Sequence, residues 1–591
     1  MIVIRTTLIS LIQLSLLGAV SLNAQTEQDH PAGMIMEMLD RHFDANRAMN
    51  HVAFFTQFWR VGGGPGYDSC IAYIEKELRL EDFSHASNNP SPSSARYQVL
   101  EDIPSHDVWH PEDAVLSLEV PEERILSSYA QTPLLLCVNS FPTDVSAPLV
   151  FVSGGSRESD FEQVNVAGKI VLTDEPPQVV FPLALRRGAL GVISSHAPPH
   201  NRPSEYPHIV AEGRIPIDTT HKSFALKISS PLAQELKALL AYQEVRLKVK
   251  IRSSFSRSPI KTLAVEIPGV QKPQERIVLV AHLDHYKPGA NDNASGSATL
   301  LEIARSFQQL LRKGSLTPPS RTITFLWVDE YDGTEFWMKR HRSELSDIQA
   351  VFVLDMVGGD PEKTGGLFRV ERMPDPAVIW MRPPDQHSGW GIGRWKKEKL
   401  FGSFLNDFFL SVIKLRQSQT DWRATENVWE GGSDHDPFLR NGIPALLSWH
   451  FPDFAYHSSL DGLANISAKE MQNAGVSIGS AAMTLALGTE AAAKSILEIV
   501  YAASVRRLDL LNEMAAIEVT DAQVHGEENL RAVRKHEKEI LDAWGMWYEQ
   551  ALRSVVKIPA GGSSKALEEL VESRLATHRR KIQEISLSLG L

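Results

Sequence analysis

The residues able to do chemistry in this chain recur at the ends of apolar runs. Ile277-Val278-Leu279-Val280-Ala281 leads into His282-Leu283-Asp284. Positions two apart on an extended chain point the same way, so this imidazole and carboxylate share one side. That pairing suits a metal-ligating histidine whose ring is held by an acid. A polar turn follows, Gly289-Ala290-Asn291-Asp292-Asn293-Ala294-Ser295-Gly296, just before a helical stretch, and an acid there is placed to bridge two cations. Phe325-Leu326-Trp327-Val328 runs into Asp329-Glu330-Tyr331-Asp332-Gly333, and Phe352-Val353-Leu354 into Asp355. A later strand leads to Tyr456-His457-Ser458-Ser459-Leu460-Asp461. Taken singly, each has a plainer explanation: an acid before a helix caps it, and a lone histidine or loop carboxylate is satisfied by packing or water. Taken together, histidines and acids repeatedly end apolar strands, at the carboxyl edge where open α/β sheets bind ligands. Imidazole and carboxylate donors suit zinc, and an open coordination position makes such a site catalytic.

The elements that must position these residues follow from hydrophobic periodicity. Strand-like runs at 277–281, 322–328 and 351–354 alternate with a helical segment at 296–311, the βαβ rhythm of a mostly parallel sheet with helices on both faces. Upstream, residues 147–251 read as β-rich, closed by a Ser/Arg/Pro linker at 253–259, and residues 42–80 read as helical with a break at Val61-Gly62-Gly63-Gly64-Pro65-Gly66. From residue 467 onward apolar residues fall at helical spacing, as in Leu530, Val533, Ile540, Leu541, Trp544, Trp547, Tyr548 and Leu552, which is expected to mean packing. The first residues read as an export signal, with Arg5, an apolar run at 8–20 and small residues at Ala19-Val20-Ser21 or Leu22-Asn23-Ala24, so an exported protein, periplasmic or extracellular, is expected. Cys70 and Cys137 either pair or stay as buried thiols.

Composition bounds the partners. Across 591 residues, 60 Lys+Arg stand against 72 Asp+Glu for a net charge of −12, which gives no footing for nucleic acid. Two cysteines cannot build a thiolate zinc site, whereas 20 histidines leave room for a site of imidazole and carboxylate. No later segment is apolar and long enough for stable membrane insertion.

His282-Leu283-Asp284, the Gly289–Gly296 turn, Leu354-Asp355-Met356 and the Tyr456–Asp461 motif, in that order and spacing, resemble the co-catalytic zinc aminopeptidase family, which also contains glutamate carboxypeptidase, transferrin receptor and glutaminyl cyclase. Ser433-Asp434-His435-Asp436-Pro437-Phe438 and Arg60-Val61-Gly62-Gly63-Gly64-Pro65-Gly66-Tyr67 are further family-like blocks, and Val166-Ala167-Gly168-Lys169-Ile170-Val171 is similar to a protease-associated domain. The resemblance implies an α/β zinc-exopeptidase fold with a mixed, mostly parallel sheet, an inserted β-rich protease-associated domain and an α-helical C-terminal domain. The expected divisions are a signal at 1–24, an N-terminal part of the peptidase domain at 30–125, the insertion at 126–258, the main zinc domain at 259–488 and the helical domain at 489–591. It implies two zinc ions, with one also compatible. Asp292 would bridge them, His282 and Asp355 would hold one, His457 the other, and Asp284 would orient His282.

The family expects two adjacent glutamates, a general base and then a ligand, and here the chain departs. Aligning Trp327 and Gly333 without a gap makes Glu330 the base and puts Tyr331 in the ligand slot. Aligning the acidic pair makes Asp329 the base and Glu330 the ligand, which is favoured because a carboxylate ligand suits zinc better than a tyrosine. The implied activity is zinc-dependent removal of N-terminal residues from a peptide substrate. Its alternatives are a glutaminyl-cyclase-like acyltransferase and an inactive, transferrin-receptor-like binding protein. Tyr456, Asp434 and His435 are candidates for positioning substrate, the stretch 359–401 with Trp380, Trp390 and Trp395 for a lid, and the helical tail for a homodimer interface.

Overall fold

The computed structural model describes residues 30–88, 91, 93–391 and 393–591, so the expected export signal lies outside the described residues. The chain builds two sheets. After β1 (Ser84–His85) and β2 (Arg96–Asp102), it leaves the main sheet for β3 (Val108–Val120), β4 (Arg124–Ser128), β5 (Thr143–Phe151), β6 (Ile170–Thr173), β7 (Gly191–Ser194), β8 (Phe224–Lys227) and β9 (Arg246–Ser256). It then returns for β10 (Ile260–Ile267), β11 (Lys272–His282), β12 (Arg321–Val328), β13 (Ile348–Leu354), β14 (Phe368–Glu371), β15 (Ala424–Asn427) and β16 (Ala445–His450). The main sheet runs β1-β2-β10-β12-β11-β13-β16-β14-β15 and the second β4-β3-β9-β5-β6-β7-β8.

At the centre of the main sheet β12, β11, β13 and β16 are mutually parallel, so their carboxyl ends reach one edge. His282 lies opposite Val328, and Leu354 opposite Ser448, which puts Asp329 and Asp355 one step past that edge. The strands are buried on both faces, as continuous apolar runs in β11, β12 and β13 demand. Gly296–Arg312 and Ala468–Leu487 pack against this sheet. The mixed α/β architecture expected from the sequence is therefore present.

Two expectations shift. The second sheet begins with β3, whose alternating residues pair with β9 from Val108 to Val120, so the β-rich unit starts upstream of residue 126. Its apolar clusters, around Leu247 and around Val180, are separate from the main core. The tail is helical as expected, in Glu490–Gln523, Glu527–Ser554 and Lys565–Leu589. Its inward residues, among them Ile496, Leu541, Trp547 and Leu575, nevertheless join the same apolar cluster as the main sheet rather than forming a core of their own. Cys70 and Cys137 are both buried and free, one in the main core and one in the β-rich unit, so the pairing left open by the sequence is not made. No described helix is long and apolar enough to cross a membrane.

Candidate metal centre

The edge of the parallel strands opens into a cavity of about 710 Å³, bordered on its other side by the β-rich unit through Asn139 and Arg214. Two donor groups converge on its floor: His282, Glu330 and Asp355 in one, His285, Asp292 and His457 in the other. Asp292 joins them. Its Oδ1 lies 3.4 Å from His282 Nε2, while its Oδ2 lies 3.2 Å from His285 Nε2 and 3.0 Å from His457 Nε2.

The three imidazoles are oriented alike. Nδ1 of His282 meets the main-chain oxygen of Asp284 at 3.0 Å, Nδ1 of His285 that of Tyr286 at 3.2 Å, and Nδ1 of His457 the Glu212 carboxylate at 2.9 Å. With an oxygen at each Nδ1, a proton is held there and Nε2 faces the floor, the pose in which an imidazole can ligate once Nε2 gives up its own proton. Asp355 is held the same way, since Ser433 Oγ donates to Oδ2 at 2.8 Å and leaves Oδ1 3.2 Å from His282 Nε2. Asp355 Oδ1 and His285 Nε2 are buried without a hydrogen-bond partner. Buried polar atoms are ordinarily bonded; imidazoles and carboxylates that converge this closely, two of their atoms without a well-formed hydrogen bond, fit a cation between them. Three nitrogens and three carboxylates suit zinc.

Local folding explains the loop. Gly289 takes φ 59°, and a Cβ there would run into the His285 ring and the carbonyls of Tyr286 and Asp292. Arg60, wholly buried, threads its guanidinium into this loop and donates to the carbonyls of Leu283, Pro288 and Gly289 and, outside it, to that of Phe55. The Asp461 carboxylate accepts from the amides of Asn291 and Asp292. Asn293 ties the loop to the end of β13 through the Leu354 carbonyl and the Met356 amide.

Charges accumulate here. Burial alone would favour neutral groups, yet Asp355, Glu330 and Asp284 hold the His282 pKa well above the ordinary imidazole range, and Glu212 and Asp292 do the same for His457. Burial pushes the Asp292 carboxyl up, but His285 and His457 outweigh it and hold it well below the carboxylate range. Glu330 goes the other way: burial, opposed by His282 and reinforced by Asp355, Asp434 and Asp284, raises its carboxyl. Asp329 is raised by burial and then by Asp284, Asp332, Asp434 and Glu330.

All seven residues named from the sequence border the cavity, but two differ from expectation. Asp329, expected as the base and not as a ligand, has its carboxylate against Gly62, where a Cβ would overlap it. Asp284 meets His282 chiefly through its carbonyl, its Oδ1 standing 3.5 Å away while accepting the Glu330 amide at 2.8 Å. The chain turns directly after β11, which swings the main-chain oxygen under the ring and frees the carboxylate for the next strand end. Tyr331 turns away from the donors: its hydroxyl meets Asp436 at 3.3 Å and its amide Asp434 at 3.0 Å. Asp434 and His435 are fully buried, the latter on Glu371, and serve packing rather than substrate. Tyr456 and Trp390 do line the cavity, 3.4 Å apart, whereas Trp380 and Trp395 pack against the main core.

Sequence reasoning missed His285 and Glu212. A second imidazole three positions after His282 was the available signal for the first; none in the sequence joins Glu212 to His457 across 245 positions.

Residues 262–376 match Peptidase family M28. This M28 segment is about a fifth of the chain and holds His282, His285, Asp292, Glu330 and Asp355. Aminopeptidase YwaD of Bacillus subtilis (strain 168) is 27% identical over 254 residues, 40% of this chain and 47% of that protein. The chain thus spans about half the length of that curated relative. Among solved structures, a peptidase M28 precursor from Shewanella amazonensis SB2B aligns with TM-score 0.53 and 17% identity over 77% of this chain and 96% of that one. BSAP, a zinc aminopeptidase from Bacillus subtilis, aligns with TM-score 0.52 and 18% identity over 74% and 94%. At such identities the likeness is one of fold.

Proposed function

We propose that the protein is a zinc-dependent exopeptidase, an aminopeptidase in its reaction, working at the floor of the 710 Å³ cavity. The observation that carries this reading is the pair of donor groups joined through the two oxygens of Asp292. The M28 match and the zinc aminopeptidase fold support it. A bound zinc pair would polarise the scissile carbonyl and make water acidic enough to act as a nucleophile near neutral pH.

The chain's own residues divide the remaining work. Glu330 is the general base, accepting the proton of the attacking water and returning it to the leaving amine; its raised pKa suits a carboxyl that must hold a proton in mid-reaction. This reading departs from the sequence preference for Asp329 as base and Glu330 as ligand; it is supported by the position of the Asp329 carboxylate against Gly62, while Glu330 stands with His282 and Asp355. Asp329, half-buried among other acids beside Gly62, is the carboxylate placed to take the substrate's N-terminal ammonium, whose charge would relieve that crowding. Tyr456, whose ring stacks on His457 with centroids 3.8 Å apart, presents its hydroxyl to the cavity and can donate to the attacked carbonyl oxygen.

The test is turnover of aminoacyl and N-blocked peptides by zinc-loaded protein with and without a chelator. Free-amine substrates should be cleaved and chelation should abolish it. Glu330→Gln should lose about 10²–10⁴-fold in kcat while retaining its zinc. Zinc-loaded protein that cleaves no peptide, or a Glu330→Gln variant with unchanged kcat, refutes the reading.

A further inference from the structure

We infer that the two metal positions are chemically unequal, and that the β-rich unit completes the nitrogen-rich one. The inference rests on the two-zinc reading above. One position has His282 as its single imidazole, with Asp355 and the shared Asp292 as carboxylates and Glu330 over it. The other has two imidazoles, His285 and His457, both aimed at the second oxygen of Asp292. His285 qualifies as a ligand on three counts. Its Nε2 is buried without a hydrogen-bond partner, its Nδ1 faces a main-chain oxygen, and its ring stands 5.2 Å from that of His457, centroid to centroid. Tyr331, the other occupant of the ligand slot that the sequence offered, is turned onto Asp436.

His457 depends on the β-rich unit for its pose. Glu212 accepts from Nδ1, and its own amide donates to the His457 carbonyl at 2.8 Å. Asn201 of the same unit donates to the carbonyls of Phe454 and Tyr456, and Val210 exchanges hydrogen bonds with Ser459. His457 itself sits at φ 51°, a conformation a non-glycine residue keeps only where its surroundings over-determine it. The β-rich unit therefore acts on the metal through Glu212, a positioning residue that fixes the tautomer and direction of one ligand.

Softer, nitrogen-rich sites favour zinc over manganese more strongly than carboxylate-rich ones do. Zinc-loaded protein exchanged against excess Mn²⁺ should therefore give up one ion and keep the other. Metal analysis should find two zinc ions in the wild type and one in His285→Ala, each checked for native circular dichroism. Glu212→Gln should weaken one ion by about 10- to 100-fold and leave the other unchanged, as loss of a ligand's outer partner does. This second variant keeps the inference testable should His285→Ala not fold. Two ions held as tightly as in the wild type in either folded variant overturn it, as does manganese replacing both ions or neither. None of these results touches the peptidase reading, which fails instead if wild-type protein binds no zinc or cleaves no peptide while holding two.

Discussion

Replacing Arg60 with methionine isolates what holds the metal loop in shape. Its guanidinium donates at 2.7 Å to Leu283, 3.1 Å to Phe55, 3.3 Å to Pro288 and 2.8 Å to Gly289, all main-chain carbonyls and all but the Pro288 bond buried. Hydrogen bonds from a charged donor contribute about 1.5–3 kcal/mol each, so four would sum to roughly 6–12 kcal/mol. Methionine also removes the cost of burying a charge, and breaking a buried charged contact typically destabilises by about 3–5 kcal/mol, the figure we expect here. The loss should stay local, because the paired main-chain bonds between Arg60 and His285, 2.9 Å each way, are untouched. Hydrogen exchange reads it directly: the amides of Ala290, Asn291 and Asp292, all bonded to Asp461, should exchange about a hundred- to a few thousandfold faster at 1.4 kcal/mol per decade. Amides in Glu490–Gln523 should not change. Exchange of the three loop amides within about threefold of wild type would refute this account of Arg60.

Gly62→Ala puts a methyl group where the Asp329 carboxylate lies, so KM for free-amine peptides should rise by roughly tenfold, about 1.4 kcal/mol, with zinc content unaffected; unchanged KM would remove Asp329 from amine binding. Asp407, beside the C-terminal helices, has an unpartnered buried Oδ2, and burial, with Glu426 adding and Arg372 opposing, lifts its carboxyl from 3.8 to about 7. A raised acid costs nothing while both states are protonated, then destabilises the fold progressively from about pH 4 to 7. Asp407→Asn should therefore raise the unfolding midpoint above pH 7 and match wild type near pH 4, with a ceiling of roughly 4 kcal/mol from 1.36 kcal/mol per pKa unit. A gain that is the same at both pH values would contradict that linkage.

The legible part of this site is the part that strand logic controls. His282, Asp292, Asp355 and His457 converge because parallel neighbours deliver their carboxyl ends to one edge, and apolar runs followed by His or Asp betray those ends. The βαβ order, the β-rich insertion and the helical tail were readable from periodicity for the same reason. What was not readable depends on chain paths between elements. β3 pairs with β9 across more than a hundred intervening residues, so its membership of the second sheet leaves no local mark. The shared core of tail and main sheet is likewise a matter of docking, since an apolar stripe looks the same whatever covers it. Arg60 was noticed only as part of a glycine-rich block, and its service to the loop appears once five carbonyls are seen to face it.

The departure at Tyr331 then has an electrostatic reading. If the position expected for a carboxylate is filled by His285, an anionic donor has been exchanged for a neutral one while Asp292, Asp355 and Glu330 remain. One fewer negative charge among the residues that would hold the ions would leave a more positive field at the cavity floor. That field favours charge developing on an attacked carbonyl oxygen and disfavours protonation of the Glu330 carboxylate in the resting site. Burial, reinforced by Asp355, Asp434 and Asp284 against His282, raises the Glu330 carboxyl and so works against the second effect. The same exchange makes His457 matter more, because with His285 it supplies two of the three donors on that side, and its pose is set by Glu212 from another unit of the fold. On this account the altered acidic pair is a redistribution of candidate metal donors, and Glu212 ties the β-rich unit to one of them.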